Sequence, residues 1–169
     1  DVEEIPTNGG SIRIYAKHKN DRRDISTNVN ALLEKEKQKG MTNSAYYSNF
    51  NEKALKVKLD LLSFLIKQKE LNKTVTAYGA AAKGNTMLNY CGVKNDLIKY
   101  VVDANPPKQN TFLPASHIPV VDEGFLKNDK QDYIIILTWN LKEEITEQLN
   151  YIKTWDAKFV TAIPRLEIF

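Results

Sequence analysis

The residues best placed to act on a ligand are Gly79, Ala80, Ala81, Ala82, Lys83, Gly84, Asn85 and Thr86. They follow the apolar, β-prone run Val75 to Tyr78 and lead into a helical pattern at Met87, Leu88, Tyr90 and Cys91. This predicts a strand, a tight turn and a helix N-terminus. Such a junction presents unpaired backbone N–H groups and the positive end of a helix dipole, which attract phosphate or carboxylate. Small residues let a ligand approach the backbone, and Lys83 adds a mobile positive charge. The turn is not a Walker A motif, because Lys83 precedes the last glycine; it is not G-x-G-x-x-G, because Ala81 replaces the middle glycine. It therefore supports phosphate or nucleotide binding of a general kind.

Three further groups join it. Asp103 ends the apolar run Leu97 to Val102, about twenty residues beyond the turn, where dinucleotide-binding folds hold a ribose hydroxyl. Alternatively, Asp103 and Asn105 shape a turn ahead of Lys108. Trp139 and Asn140 stand at the end of the apolar run Asp132 to Thr138. His117, in the loop Phe112 to Val120, either takes part in acid–base chemistry or is hydrogen-bonded within its own loop. No nucleophilic triad is visible, and two histidines without a paired acidic cluster argue against a catalytic metal. His18 reads as a solvated surface residue. The residues argue for binding more than for chemistry.

These groups need a scaffold. Val75–Tyr78, Leu97–Val102, Asp132–Thr138 and Lys158–Ala162 read as strands, with helices after the turn and over Lys142 to Thr154. The continuous apolar character of Tyr133 to Leu137 suits a parallel sheet buried on both faces. The pattern predicts an α/β fold: a Rossmann-like, doubly wound, mainly parallel sheet in which ligands bind beyond the carboxyl ends of the strands. Ahead of it lie a short helix from Asn28 to Lys39, ended by Gly40, and a long helix from a cap at Thr42 or Asn43 to about Leu71. Leu55, Leu59, Leu62 and Ile66 form a stripe on that helix, widened by Ala54, Val57, Leu61 and Phe64, which predicts packing on a sheet. Tyr46, Tyr47 and Phe50 are expected in the core rather than lining a cleft. At the start, Val2 to Glu4 and Ser11 to Ala16 flank Pro6–Gly10 as a short strand pair, and Lys17 to Thr27 is an exposed connector. Two strands alone are not stable. The pair must therefore join a further sheet or pack against the domain that comes after it in the chain.

The composition, 42% hydrophobic and 27% charged over 169 residues, is that of an ordinary globular domain. No apolar run approaches a membrane span, no signal peptide is evident, and we expect a cytoplasmic protein. Cys91 alone permits neither an internal disulfide nor a multi-thiolate metal site. A net charge of +3, evenly spread, gives no footprint for nucleic acid. The chain opens at Asp1 within a strand pattern and without an initiator Met, so we expect a piece of something longer.

Four phrases, in order, carry a resemblance: Tyr78 to Thr86, Val-Val-Asp-Ala-Asn-Pro-Pro-Lys-Gln (Val101 to Gln109), Leu-Pro-Ala-Ser-His-Ile-Pro-Val (Leu113 to Val120) and Thr-Trp-Asn-Leu-Lys-Glu-Glu-Ile (Thr138 to Ile145). Together they resemble the C-terminal domain of the S-adenosylmethionine-dependent nucleotide-sugar C-methyltransferases. Asn8 to Tyr15 resembles the last strands of the methyltransferase domain preceding it in that family. The resemblance implies methyl transfer to a carbon of a keto-deoxysugar on a nucleoside diphosphate such as dTDP, through an enolate formed by proton removal beside the ketone. It implies that residues 1–27 are a strand pair and linker left from the preceding domain in cis, and that 28–169 bind the nucleotide-sugar. Zinc ligands, the catalytic base and most of the S-adenosylmethionine site would lie upstream of Asp1, leaving this fragment inactive alone. Lys83 and the turn amides would hold the diphosphate, Asp103 and Asn105 a hydroxyl, and Trp139 and Asn140 the cleft wall, with Lys108 and His117 also on the substrate. The family pattern has His at Asn8 and glycines at Asn110 and Ala115. The alternative is a non-catalytic nucleotide-binding or docking module; a nicotinamide-dependent oxidoreductase rests on strand order alone.

Overall fold

The structure, a computed structural model, describes residues 1–169 and divides into two compact units, Asp1–Lys53 and Ala54–Phe169. In the first unit β1 (Val2–Ile5) and β2 (Ser11–Ile14) pair antiparallel across a turn in which Asn8 takes φ +55°. Helix α1 (Thr27–Gln38) is capped by Ser26, whose side chain accepts from the Asn28 N–H, and Gly40 follows its end at φ +76°. Lys35 donates to Glu4 at 2.7 Å, tying α1 to β1. The pairing leaves apolar side chains uncovered: Ile12, Ile14, Tyr15, Ile25 and Leu33 are all exposed beside a groove of about 550 Å³. Asn43 is a cap, as its position predicts, but of a short 3-10 turn at Ser44–Tyr47. Tyr46, Tyr47 and Phe50 are 48%, 53% and 68% exposed, so the expected core position of these aromatics is not realised.

Helix α2 (Phe50–Glu70) leads to a seven-stranded sheet. Its strands are β3 (Val75–Tyr78), β4 (Val101–Val102), β5 (Thr111–Phe112), β6 (Pro119–Val121), β7 (Tyr133–Ile136), β8 (Lys158–Thr161) and β9 (Glu167–Ile168), in the spatial order β5-β6-β4-β3-β7-β8-β9. The five inner strands are parallel, and β5 and β9 are antiparallel edges. The chain starts at the centre with β3, winds outward through β4 and β6, then returns to β7 on the other side. This is the doubly wound order, with its switch point between β3 and β7. Helices α2 and α3 (Ala82–Cys91) pack on one face of the sheet; α4 (Glu123–Asn128) and α5 (Lys142–Gln148) pack on the other.

Alternation along β7 divides the core. Ile134 and Ile136 join Leu126, Leu149 and Phe159 on one face, while Ile135 and Leu137 join Leu61, Leu65 and Leu88 on the other. Full burial of each such side chain contributes about 1.5–3 kcal/mol. Three expectations are corrected here. The stretch Phe112–Val120, expected as a loop held extended by two prolines, instead turns back on itself between β5 and β6: Ala115 and His117 take positive φ, the Leu113 N–H bonds the Ile118 carbonyl, and only Pro119–Val121 is extended and pairs with β4. The helix expected over Lys142–Thr154 stops at Gln148 and continues as 3-10 turns from Asn150 to Trp155. The face of α2 on the sheet is Leu61, Phe64, Leu65 and Gln68, whereas Leu55, Leu59 and Ile66 of the expected stripe are about half exposed.

Non-glycine residues at positive φ include Asn110 (+61°) and Ala115 (+64°). Asparagine tolerates this region and alanine does not, at a cost of about 1–2 kcal/mol. Ala115→Gly is therefore expected to stabilise the protein by about 0.5–1 kcal/mol after the entropy of the freer unfolded chain is subtracted. A rise in the urea midpoint at constant m-value is the corresponding measurement.

Candidate functional site

The switch point is built by two junctions. After β3, Gly79 adopts φ +94° and its N–H bonds the Val102 carbonyl at 2.8 Å, while the Ala81 N–H turns back to the Gly79 carbonyl at 2.7 Å. A Cβ on Gly79 would lie 2.9 Å from Thr138 Oγ1, so the β3 and β7 loops meet at this glycine. Helix α3 then begins with Ala81 as N-cap and no side chain capping its first-turn N–H groups. Gly84 is buried in the same first turn, where an added Cβ would lie 2.6 Å from Leu137 Cβ. It occupies the place of the last glycine in nucleotide-binding turns, which serves close helix–strand packing. Thr86 donates to the Ala82 carbonyl of its own helix at 3.0 Å, and Asn85 Oδ1 is buried without a hydrogen-bond partner.

Lys83, in the first turn of α3, reaches across the switch point. Its ammonium donates to Asn140 Oδ1 and lies 4.8 Å from the centroid of the Trp139 ring. Both partners are uncharged, so its positive charge is not neutralised. Trp139 and Asn140 open the 3-10 turn Trp139–Leu141 directly beyond β7. The cation–π contact and the hydrogen bond hold the cation at the switch point.

Beyond β4 the pattern is reversed. Asp103 is 7% exposed and its carboxylate accepts from the Ala80 N–H at 2.7 Å, the Asn105 N–H at 2.9 Å and Lys108 Nζ at 3.2 Å. Gln109 donates its side-chain amide to the Asp103 carbonyl at 2.9 Å. Asp103 thus braces the glycine turn and neutralises Lys108. Asn105 takes part through its backbone, and its side chain is exposed. The sequence offered no means of choosing between a ribose ligand and a turn brace, because the Ala80 N–H comes from another segment.

Gly79 to Lys83, Asp103 to Lys108, and Trp139–Asn140 therefore share the carboxyl edge of the sheet. His117 does not join them. It precedes β6, which runs parallel to β4, and so lies at the end where the strands begin, exposed at φ +54° with its N–H on the Leu113 carbonyl. Asn89 in the second half of α3 donates to Pro114 there at 3.1 Å. Thr138, facing Gly79, was not singled out by pattern; its only signal is its place between the apolar run and Trp139. On the opposite face Glu123 accepts from Gln148 at 2.7 Å, and Gln148 also reaches the Tyr78 hydroxyl at 2.8 Å. Burial first, then the Glu123 charge, pushes the Tyr78 phenol above its ordinary range. No helix is long and apolar enough to cross a membrane.

Residues 6–164 match a protein family described as the C-methyltransferase C-terminal domain. The chain is also 27% identical over 164 residues to C-methyltransferase NovU of Streptomyces niveus, which covers 97% of this chain and 39% of that protein. The chain thus spans about two fifths of the length of the curated relative it matches. With the family match running from the first strand pair almost to the last edge strand, the chain belongs to the C-methyltransferase C-terminal domain family.

Proposed function

We propose that the chain is the nucleotide-sugar-binding domain of an S-adenosylmethionine-dependent C-methyltransferase, with a nucleoside-diphosphate keto-deoxysugar as substrate. The observation that carries this reading is the charge balance at the switch point. Lys108 is neutralised by Asp103, whereas Lys83 has only uncharged partners beside the uncapped N-terminus of α3. One free cation and a helix dipole suit a diphosphate. Trp139 and Asn140 form the wall of the cleft, and Gly79 to Ala82 allow close approach. Asp103 acts through the turn it braces, and Asn85, Thr86, Asn105 and Lys108 flank the ligand.

The carboxylate that would suit a cofactor ribose is taken up by Ala80, Asn105 and Lys108. Following the family resemblance, we assign S-adenosylmethionine, the base that forms the enolate, and zinc to segments preceding this chain, and no step of methyl transfer to its own residues. Residues 1–27 belong to the preceding domain in cis, whose surface would cover the apolar side of β2; residues 28–169 carry the substrate site. A cytoplasmic location suits such an activity.

Calorimetric titration with thymidine diphosphate tests the reading. Lys83→Ala is expected to weaken binding roughly 10- to 150-fold, the scale of one charge-assisted hydrogen bond at about 1.5–3 kcal/mol. Equal affinity for both proteins would remove Lys83 from the site.

A further inference from the structure

Helix α2 carries two apolar faces, and the sheet uses one of them. Leu61, Phe64, Leu65 and Gln68 are buried on the sheet. Leu55, Leu59, Leu62 and Ile66 lie about 140° around the axis at 100° per residue. Leu55, Leu59 and Ile66 are 48%, 54% and 49% exposed, and Leu62 touches the edge of the core. Single exposed apolar residues are ordinary; three in line along a helix, with half-buried Leu62 between them, are not.

Their spacing identifies the kind of partner. Steps of four, three and four residues are the a/d positions of two heptads, the narrow seam by which one helix packs on another. The same register continues to Glu52 at one end and Lys69 at the other, both exposed.

We propose that this stripe is a self-association seam, in which α2 packs antiparallel on α2 of a second copy. Setting Leu59 against the partner's Leu62 also sets Leu55 against the partner's Ile66 and Glu52 against the partner's Lys69. Two-fold symmetry makes each pairing twice, so the apolar layers are closed at both ends by opposite charges. A parallel pairing would instead oppose Glu52 to Glu52 and Lys69 to Lys69, which is repulsive. Lys58, beside the seam, lies with its ammonium 5.3 Å from the Tyr90 ring centroid, folded back on α3. Four apolar residues per copy make an interface smaller than about 1,200 Å², so the dimer is weak and forms at micromolar concentration and above.

Sedimentation velocity from about 5 to about 500 µM tests the seam. The wild-type chain is expected to pass from monomer to dimer across that range, and Leu59→Glu, with its native circular dichroism retained, to stay monomeric. Glu52→Lys and Lys69→Glu are each expected to weaken the dimer about three- to tenfold, since each turns both end pairs into like charges, and the double exchange to restore it. A wild-type monomer throughout, or a dimer indifferent to Leu59→Glu, overturns the proposal. Failure of the double exchange to recover what the single ones lose overturns the antiparallel register.

Discussion

Asp103→Ala is expected to destabilise the protein by about 2–4 kcal/mol. The carboxylate is buried and takes the Ala80 and Asn105 N–H groups together with Lys108. Two backbone donors left without acceptors cost about 1–3 kcal/mol each if they stay dry. Lys108 adds little to that loss, because its side chain is 40% exposed and water replaces the carboxylate. Asp103→Asn should fall between, since an amide oxygen serves one of the two backbone donors while its NH₂ opposes the other. Urea unfolding reads the stability, and titration with thymidine diphosphate under fully folding conditions reads the site. A variant as stable as wild type that had lost affinity would instead make Asp103 a direct ligand.

Gly84→Val is expected to cost about 3 kcal/mol or more and to weaken diphosphate binding in parallel. The first added carbon meets Leu137 Cβ at 2.6 Å, and Leu137 is fully buried, so α3 must move away from β7. Inserting atoms into a packed core typically costs about 1–3 kcal/mol, and valine adds two further methyl groups to that first clash. Gly84→Ala should lose less, because alanine gains about 1 kcal/mol over glycine within a helix. Affinity follows because Lys83 is the neighbouring residue and moves with the helix. The order glycine, alanine, valine in urea midpoint, at constant m-value, is the check; an alanine variant about 1 kcal/mol more stable than wild type would show that helix and strand have room to spare.

How much of this was legible in the chain depends on the range of the forces involved. Gly79 and the small residues after it could be read as a tight turn into a helix N-terminus, because small residues after a β-prone run leave few alternatives, whereas the packing role of Gly84 appears only with Leu137 beside it. The emergence of Gly79, Asp103 and Trp139 on one edge followed from the parallel order of the strands. His117 was set on the substrate through the resemblance and not through strand order: β6, only three residues long and begun by Pro119, was hidden in what looked like loop, and with it the direction of the chain at His117. Helix α2 shows a different limit. Its two apolar stripes are of similar quality in the sequence, and the one with regular spacing is the one the sheet leaves uncovered.

The Tyr78 to Thr86 junction, the parallel strands and the family motifs were determined by the sequence alone, since they depend on backbone preference and apolar periodicity within short windows. Only the tertiary structure decided which charge stays available. Asp103 and Lys108 neutralise each other across a turn, while Lys83 meets only Asn140 and Trp139, more than fifty residues further along the chain. Electrostatic balance is set by neighbours in space, and no local pattern records them.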